Sequence, residues 1–129
     1  MNIPKELKYT KDHEWVRVEG NTAVVGITDF AQLQLGDVVF VELPAVGKAL
    51  KQGEPLSVIE SMKAVSDVYE PVSGKVVKVN TALEEAPDLV NQEPYGEGWV
   101  AVLELADGAE VESLLSDSDY EKVAAEGGH

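Results

Sequence analysis

Glu60-Ser61-Met62-Lys63-Ala64-Val65-Ser66-Asp67 is the stretch on which the fold turns. Leu56, Val58 and Ile59 precede it in a strand-like run. Val65, Val68 and Tyr69 continue into another, which Pro71 and Gly74 close. Two apolar runs joined by a few small and polar residues predict a β-hairpin. Lys63 falls at its tip and should project into solvent. No other Lys or Arg lies within ten residues on either side, and Glu60 and Asp67 make both shoulders of the tip acidic. Small Ser61 and Ala64 leave the ε-amine sterically open. Such surroundings are the opposite of the desolvated pocket that activates a Schiff-base lysine. A lone, open lysine of this kind reads instead as an attachment point, acylated by a separate enzyme. Acylation removes its charge and leaves a long flexible arm.

Outward from the hairpin, the chain is a succession of short β-branched runs broken by glycine and proline. Strands are predicted at Glu14–Val18, Thr22–Gly26, Val38–Glu42, Ala49–Leu50, Pro55–Glu60, Val65–Glu70, Gly74–Val79 and Gly98–Leu105, with Gly20-Asn21, Gly47, Gly53 and Gly74 supplying turns. This spacing predicts an antiparallel sandwich or barrel rather than βαβ units. Gly36-Asp37-Val38-Val39-Phe40-Val41 echoes Gly74-Lys75-Val76-Val77-Lys78-Val79, and the two copies flank the hairpin. A domain of two related halves would present its lysine at one end.

Helical signals are fewer. Thr28-Asp29 opens a segment through Leu35, with Phe30 and Leu33 spaced for one face and Gly36 as its stop. A second short segment spans Thr81–Ala86 before Pro87. Near the end, Val111, Leu114 and Leu115 form one stripe, and Tyr120, Val123 and Ala124 another. Ser118 with Glu121 is a candidate capping box. The tail from Glu126 to His129 should fray. The expected organisation is one domain over 1–129, with a core of about 22–105 and a C-terminal helical segment of about 109–126.

The 129 residues suffice for a single core. Ten Lys and Arg against twenty-four Asp and Glu give a net charge of −14. That surface repels phosphate backbones and anionic lipid, so neither nucleic acid nor membrane is an expected partner. Electropositive proteins are. The absence of cysteine removes disulfides, thiolate nucleophiles and cysteine zinc sites. The N-terminus carries no signal-like or transit-like pattern and no apolar run reaches membrane-spanning length, which makes a cytoplasmic protein the default.

Three motifs fail on context. Gly96-Glu97-Gly98-Trp99-Val100-Ala101 has the letters of a dinucleotide fingerprint, but no strand leads into it and no helix follows. Asp117-Ser118-Asp119 lacks the glycine and glutamate of a calcium loop. His13 is the one internal histidine, no Gly-x-Ser-x-Gly elbow accompanies it, and it reads as a surface residue. Catalysis by this chain alone is not expected.

Taken together, the motifs resemble the glycine cleavage system H-protein family over nearly the whole chain. The resemblance is carried by Tyr9 with His13-Glu14-Trp15, by Val25-Gly26-Ile27-Thr28-Asp29, and by Leu35-Gly36-Asp37 through Pro44. It continues in the Lys63 hairpin, Pro71-Val72-Ser73-Gly74, Leu89-Val90-Asn91, Pro94-Tyr95-Gly96 and Gly98-Trp99. It implies a mainly β, lipoyl/biotinyl-type barrel-sandwich hybrid: two small antiparallel sheets related by a pseudo-two-fold, a short helix in the N-terminal half and helices at the C-terminus. It implies lipoic acid in amide linkage to Lys63. A non-enzymatic, bacterial-type carrier would take the aminomethyl group of glycine from the pyridoxal-phosphate-dependent decarboxylase (P protein) to the folate-dependent aminomethyltransferase (T protein). Dihydrolipoyl dehydrogenase (L protein) would reoxidise it, and a lipoate-attaching enzyme would load it.

In that family the loaded arm folds into a surface cleft. Glu14 matches the position that would hold the aminomethyl ammonium, and Asp67 lies on the nearby hairpin. Many relatives carry histidine where this chain has Phe30, so an aromatic wall is expected in place of a polar contact to the arm. Met62 stands where valine is common. A Met-Lys pair is also found in biotinyl carrier domains, although those have methionine on both sides and Ala64 follows here. A biotinyl carrier and a lipoate relay protein are therefore the alternatives.

Overall fold

The computed structural model describes residues 2–125; Met1 and the segment 126–129, including the tail expected to fray, lie outside the described residues. The strands are β1 (Lys8–Tyr9), β2 (Glu14–Glu19), β3 (Thr22–Ile27), β4 (Val38–Glu42), β5 (Ala49–Leu50), β6 (Pro55–Ser61), β7 (Val65–Tyr69), β8 (Gly74–Val79) and β9 (Ala101–Leu105). The α-helices are α1 (Asp29–Leu35), α2 (Ala82–Glu85), α3 (Leu89–Gln92) and α4 (Asp117–Ala125), with a 3-10 helix over Gly108–Ser113.

They form two antiparallel sheets, one of six strands in the order β1-β2-β3-β9-β8-β5 and one of three in the order β4-β6-β7. The fold is mainly β, as expected. One sheet is larger than predicted because β1 and β2 extend the β3–β9 edge. The two echoing valine-rich segments become β4 and β8, one in each sheet.

Val25 and Ile27 on one face of β3 join Val38, Val41, Ile59, Val68, Val76 and Leu103 in the main core. Val24, on the opposite face, joins Leu7, Tyr9, Trp15, Tyr120 and Ala124 in a second cluster. Residues Ala23–Ile27 are therefore all buried, since a strand covered on both sides gains from apolar residues at every position rather than at alternate ones. Tyr9 stacks on Tyr120 with ring centroids 4.8 Å apart, which fastens α4 to β1.

Helix α1 opens on Thr28, whose hydroxyl accepts from the Ala31 N–H, and closes at Gly36 with φ 78°. Of the expected Phe30/Leu33 pair, Phe30 packs against the second cluster and Leu33 does not pack. Gln32 and Leu35 are buried and Leu33 is exposed, because the helix lies along the core through Ala31 and Leu35. Strand β9 begins at Ala101, three residues later than expected. Gly98 N–H donates to Glu93 O across a turn, and a Cβ on Gly98 would stand 2.5 Å from Leu89 O. The nucleotide-like letters there mark a close backbone approach. The C-terminal helix also starts earlier than Ser118 suggested: Ser116 Oγ accepts from Asp119 N–H and is its cap.

Candidate functional site

The β6–β7 hairpin closes over four residues. Ser61 N–H donates to Ala64 O at 2.8 Å, and the Ser61 hydroxyl oxygen accepts from Ala64 N–H at 3.0 Å and Lys63 N–H at 3.3 Å. Met62 N–H donates to Asp37 O at 3.0 Å, tying the tip to the start of β4. Lys63 is thus exposed on a tip whose backbone is held from inside. Its aliphatic stem passes over Gly36, where a Cβ would stand 3.5 Å from Lys63 Cε. Met62 is 77 % exposed beside it.

A cleft of about 310 Å³ opens at Ala64, the residue after Lys63. His13 and Glu14 line it from one side, Leu35 from α1, and Ser66 and Asp67 from β7. The structure therefore brings Glu14 and Asp67 into one hollow next to Lys63, although they are far apart in sequence. Asp67 is an exposed rim residue.

Glu14 is not the exposed strand carboxylate that its sequence alone would suggest: it is 2 % exposed. Its Oε1 accepts from the Thr10 hydroxyl at 2.7 Å and its Oε2 from Tyr69 N–H at 2.9 Å. Burial pushes its pKa up to about 7, against the two hydrogen bonds that favour the ionised form. An ionised carboxylate has about four acceptor sites. Two are used, so Glu14 retains capacity to bind a cation.

His13 departs from its surface expectation. It holds φ 68°, a left-handed conformation uncommon for a non-glycine residue, and it lines the cleft. Its Nδ1 lies 2.8 Å from the Tyr120 hydroxyl, which lies 2.6 Å from Thr28 Oγ1. The Phe30 ring packs on the imidazole with centroids 4.7 Å apart. Phe30 accordingly stands behind His13 rather than in the cleft lining. The sequence placed Tyr120 only in an apolar helical stripe and gave no sign of its contact with His13, 107 residues away. Sequence reasoning passed over Thr10, and only the positions of Tyr9 and His13 within one motif hinted at that loop. Glu70, buried and without a hydrogen-bond partner, gave no sequence signal.

Among the described residues no group of three or more His, Asp or Glu side chains is arranged to hold a metal ion. No helix among them is long and apolar enough to cross a membrane.

A family model described as glycine cleavage H-protein matches residues 7–127. The glycine cleavage system H protein of Symbiobacterium thermophilum is 61 % identical over 126 residues, covering 98 % of both chains. That of Carboxydothermus hydrogenoformans is 54 % identical over 126 residues, covering 98 % of this chain and 97 % of the other. The crystal structure of a glycine cleavage system H protein from Mycobacterium marinum superposes with a TM-score of 0.86 at 40 % identity, covering 98 % of this chain and all (100 %) of that one.

Proposed function

Because the chain belongs to the glycine cleavage H-protein family, a carrier component of the glycine cleavage system, we propose that Lys63 bears lipoic acid in amide linkage. When attached, the lipoyl group supplies the dithiolane that accepts and releases the aminomethyl group of glycine. The protein itself positions and shelters. Its partners are the P, T and L proteins and the enzyme that attaches lipoate, and the charge of −14 suits electropositive docking faces on them. A tethered arm converts successive encounters into events at high effective concentration.

One observation carries this function: an exposed lysine, on a hairpin tip fixed by Ser61, beside a cleft whose inner wall holds a buried carboxylate with acceptor capacity to spare. Glu14 is the residue that would receive an ammonium there. An incoming cation lowers its raised pKa and draws the carboxyl into its ionised form, giving a charge-assisted hydrogen bond in a site shielded from water. Asp67 adds negative charge at the rim, and Phe30 supports the wall through His13.

Intact mass after incubation with a lipoate ligase, lipoic acid and ATP tests the proposal. A gain of one lipoyl group by the wild-type protein, and none by Lys63→Arg, is expected. No gain on a folded sample, or a biotinyl gain in the parallel incubation with biotin ligase, would overturn it.

A further inference from the structure

Tyr120 does not line the arm cleft, yet its hydroxyl joins two of the elements that do. The residue is wholly buried in α4. Its oxygen lies 2.8 Å from His13 Nδ1, in the turn that leads into β2, and 2.6 Å from Thr28 Oγ1, the cap of α1. His13 and Glu14 on one side, and Ala31 and Leu35 of α1 on the other, line the cleft. One hydroxyl bridges them from behind.

The direction of these bonds follows from the protons present. Thr28 Oγ1 accepts from Ala31 N–H, and among the described residues its own proton has one acceptor, the Tyr120 oxygen. The Tyr120 proton is then directed to His13 Nδ1, which must be bare. Burial pushes the Tyr120 pKa up to about 12, so that proton is retained throughout the neutral range. The neutral imidazole is thereby the Nε2–H tautomer.

His13 needs such an anchor. Its φ of 68° is a conformation that a non-glycine residue keeps only where the surroundings over-determine it. Its N–H donates to Thr10 O at 3.2 Å and its carbonyl accepts from Thr28 N–H at 3.0 Å, while Tyr120 and the Phe30 ring fix the side chain. The same turn carries Thr10, whose hydroxyl accepts from Asp12 N–H and Glu14 N–H and donates to Glu14 Oε1 at 2.7 Å. The conformation of His13 therefore governs where the turn places the Glu14 carboxyl and how completely it is covered.

We propose that Tyr120 is a positioning residue of the arm cleft: through His13 Nδ1 and Thr28 it holds the left-handed turn that keeps the Glu14 carboxyl buried. This role rests on the reading of the cleft as the shelter of the Lys63 arm. It makes α4 part of that shelter, although none of its residues lines the cleft.

Carboxyl 13C NMR of the full, unmodified chain, following Glu14 Cδ from pH 4 to 9, tests this. The wild-type midpoint should lie at about 7, with Asp12, His13 and Asp67 the titratable groups around it in the cleft. Tyr120→Phe keeps the ring that stacks on Tyr9 and removes only the hydroxyl. By loosening the turn it should admit water to Glu14 and weaken its proton affinity about tenfold or more. Tyr9→Phe removes another hydroxyl from the same stack, the donor to Pro4 O, and should leave the midpoint in place. His13→Gly adopts the left-handed conformation without an anchor, so in that background Tyr120→Phe should add no further change. A folded Tyr120→Phe protein with an unmoved midpoint, an equal change in Tyr9→Phe, or an equal change in both His13 backgrounds would overturn the proposal. The 15N spectrum of wild-type His13 at pH 8.5 needs no variant: a bare Nδ1 is expected, and a protonated one would overturn it. Loading of Lys63 is read separately by intact mass, so a lysine that gains no lipoyl group and a Glu14 that ignores Tyr120→Phe are distinct results.

Discussion

Stability should fall as pH rises from about 5 to 8, the reverse of the usual rise through acid pH. Two buried acids cause it. The Glu14 pKa rises from 4.5 to about 7, chiefly by desolvation. That of Glu70 rises from 4.5 to about 8, by desolvation and then by the charges of Glu54 and Glu110. Both folded values lie above the unfolded ones, so the native state holds more protons throughout this window. The slope of unfolding free energy against pH is then negative. At about 1.4 kcal/mol per pH unit, the Glu14 displacement corresponds to about 3 kcal/mol between pH 4.5 and 7. Glu70 would contribute about 5 kcal/mol at face value, but Glu54 is exposed and its charge is screened, leaving about 2–3 kcal/mol. Repulsion within a chain of charge −14 acts in the same direction. Urea unfolding at pH 5, 6.5 and 8, followed by fluorescence of the buried Trp15, measures the slope. Glu70→Gln should remove about 2 kcal/mol of the loss between pH 5 and 8, because an amide cannot ionise. Added salt of 0.5 M screens surface repulsion and leaves desolvation in place, so about half or more of the wild-type slope should survive it. A flat or rising profile in the wild type, or an unaltered slope in Glu70→Gln, would refute the assignment of buried, proton-holding acids.

Three further outcomes follow from particular contacts. Tyr120→Phe removes the hydroxyl between His13 Nδ1 and Thr28 Oγ1, and should cost about 1–2 kcal/mol in urea unfolding while broadening the His13 resonances. Ser61→Ala removes the acceptor of the Lys63 and Ala64 N–H groups; it should cost about 1 kcal/mol and lower the heteronuclear NOE of Lys63, with the rest of the chain unaltered. Gly98→Ala forces a Cβ against the Leu89 and Glu93 carbonyl oxygens at 2.5 and 2.7 Å, where backbone cannot yield. Calorimetry should show a Tm lower by about 10 °C or an unfolded chain, through overpacking of about 2–3 kcal/mol.

Much of the fold was legible because its signals are local. Val38–Glu42, Ala49–Leu50 and Gly74–Val79 match prediction to the residue, since β-branched runs between glycine turns leave few alternatives. The hairpin and its lysine tip were equally local. The misses arose where partners distant in sequence decide. Lys8–Tyr9 is too short to read as a strand, and pairs only because Val16 and Trp15 present an edge to it. Leu33 matched the helical spacing but faces solvent, because which face of α1 is buried depends on where the sheets stand.

The site divides in the same way. By itself the sequence determined a mainly β domain, an acidic surface and one exposed lysine on a hairpin, all of them consequences of residue type and spacing over a few positions. Tertiary structure alone decided that Glu14 is buried and meets Asp67 beside that lysine, that the Tyr120 hydroxyl sits within 2.8 Å of His13, and that Glu70 has no partner. Desolvation depends on every element that closes over a group, and a carboxylate written in sequence carries no record of what will cover it.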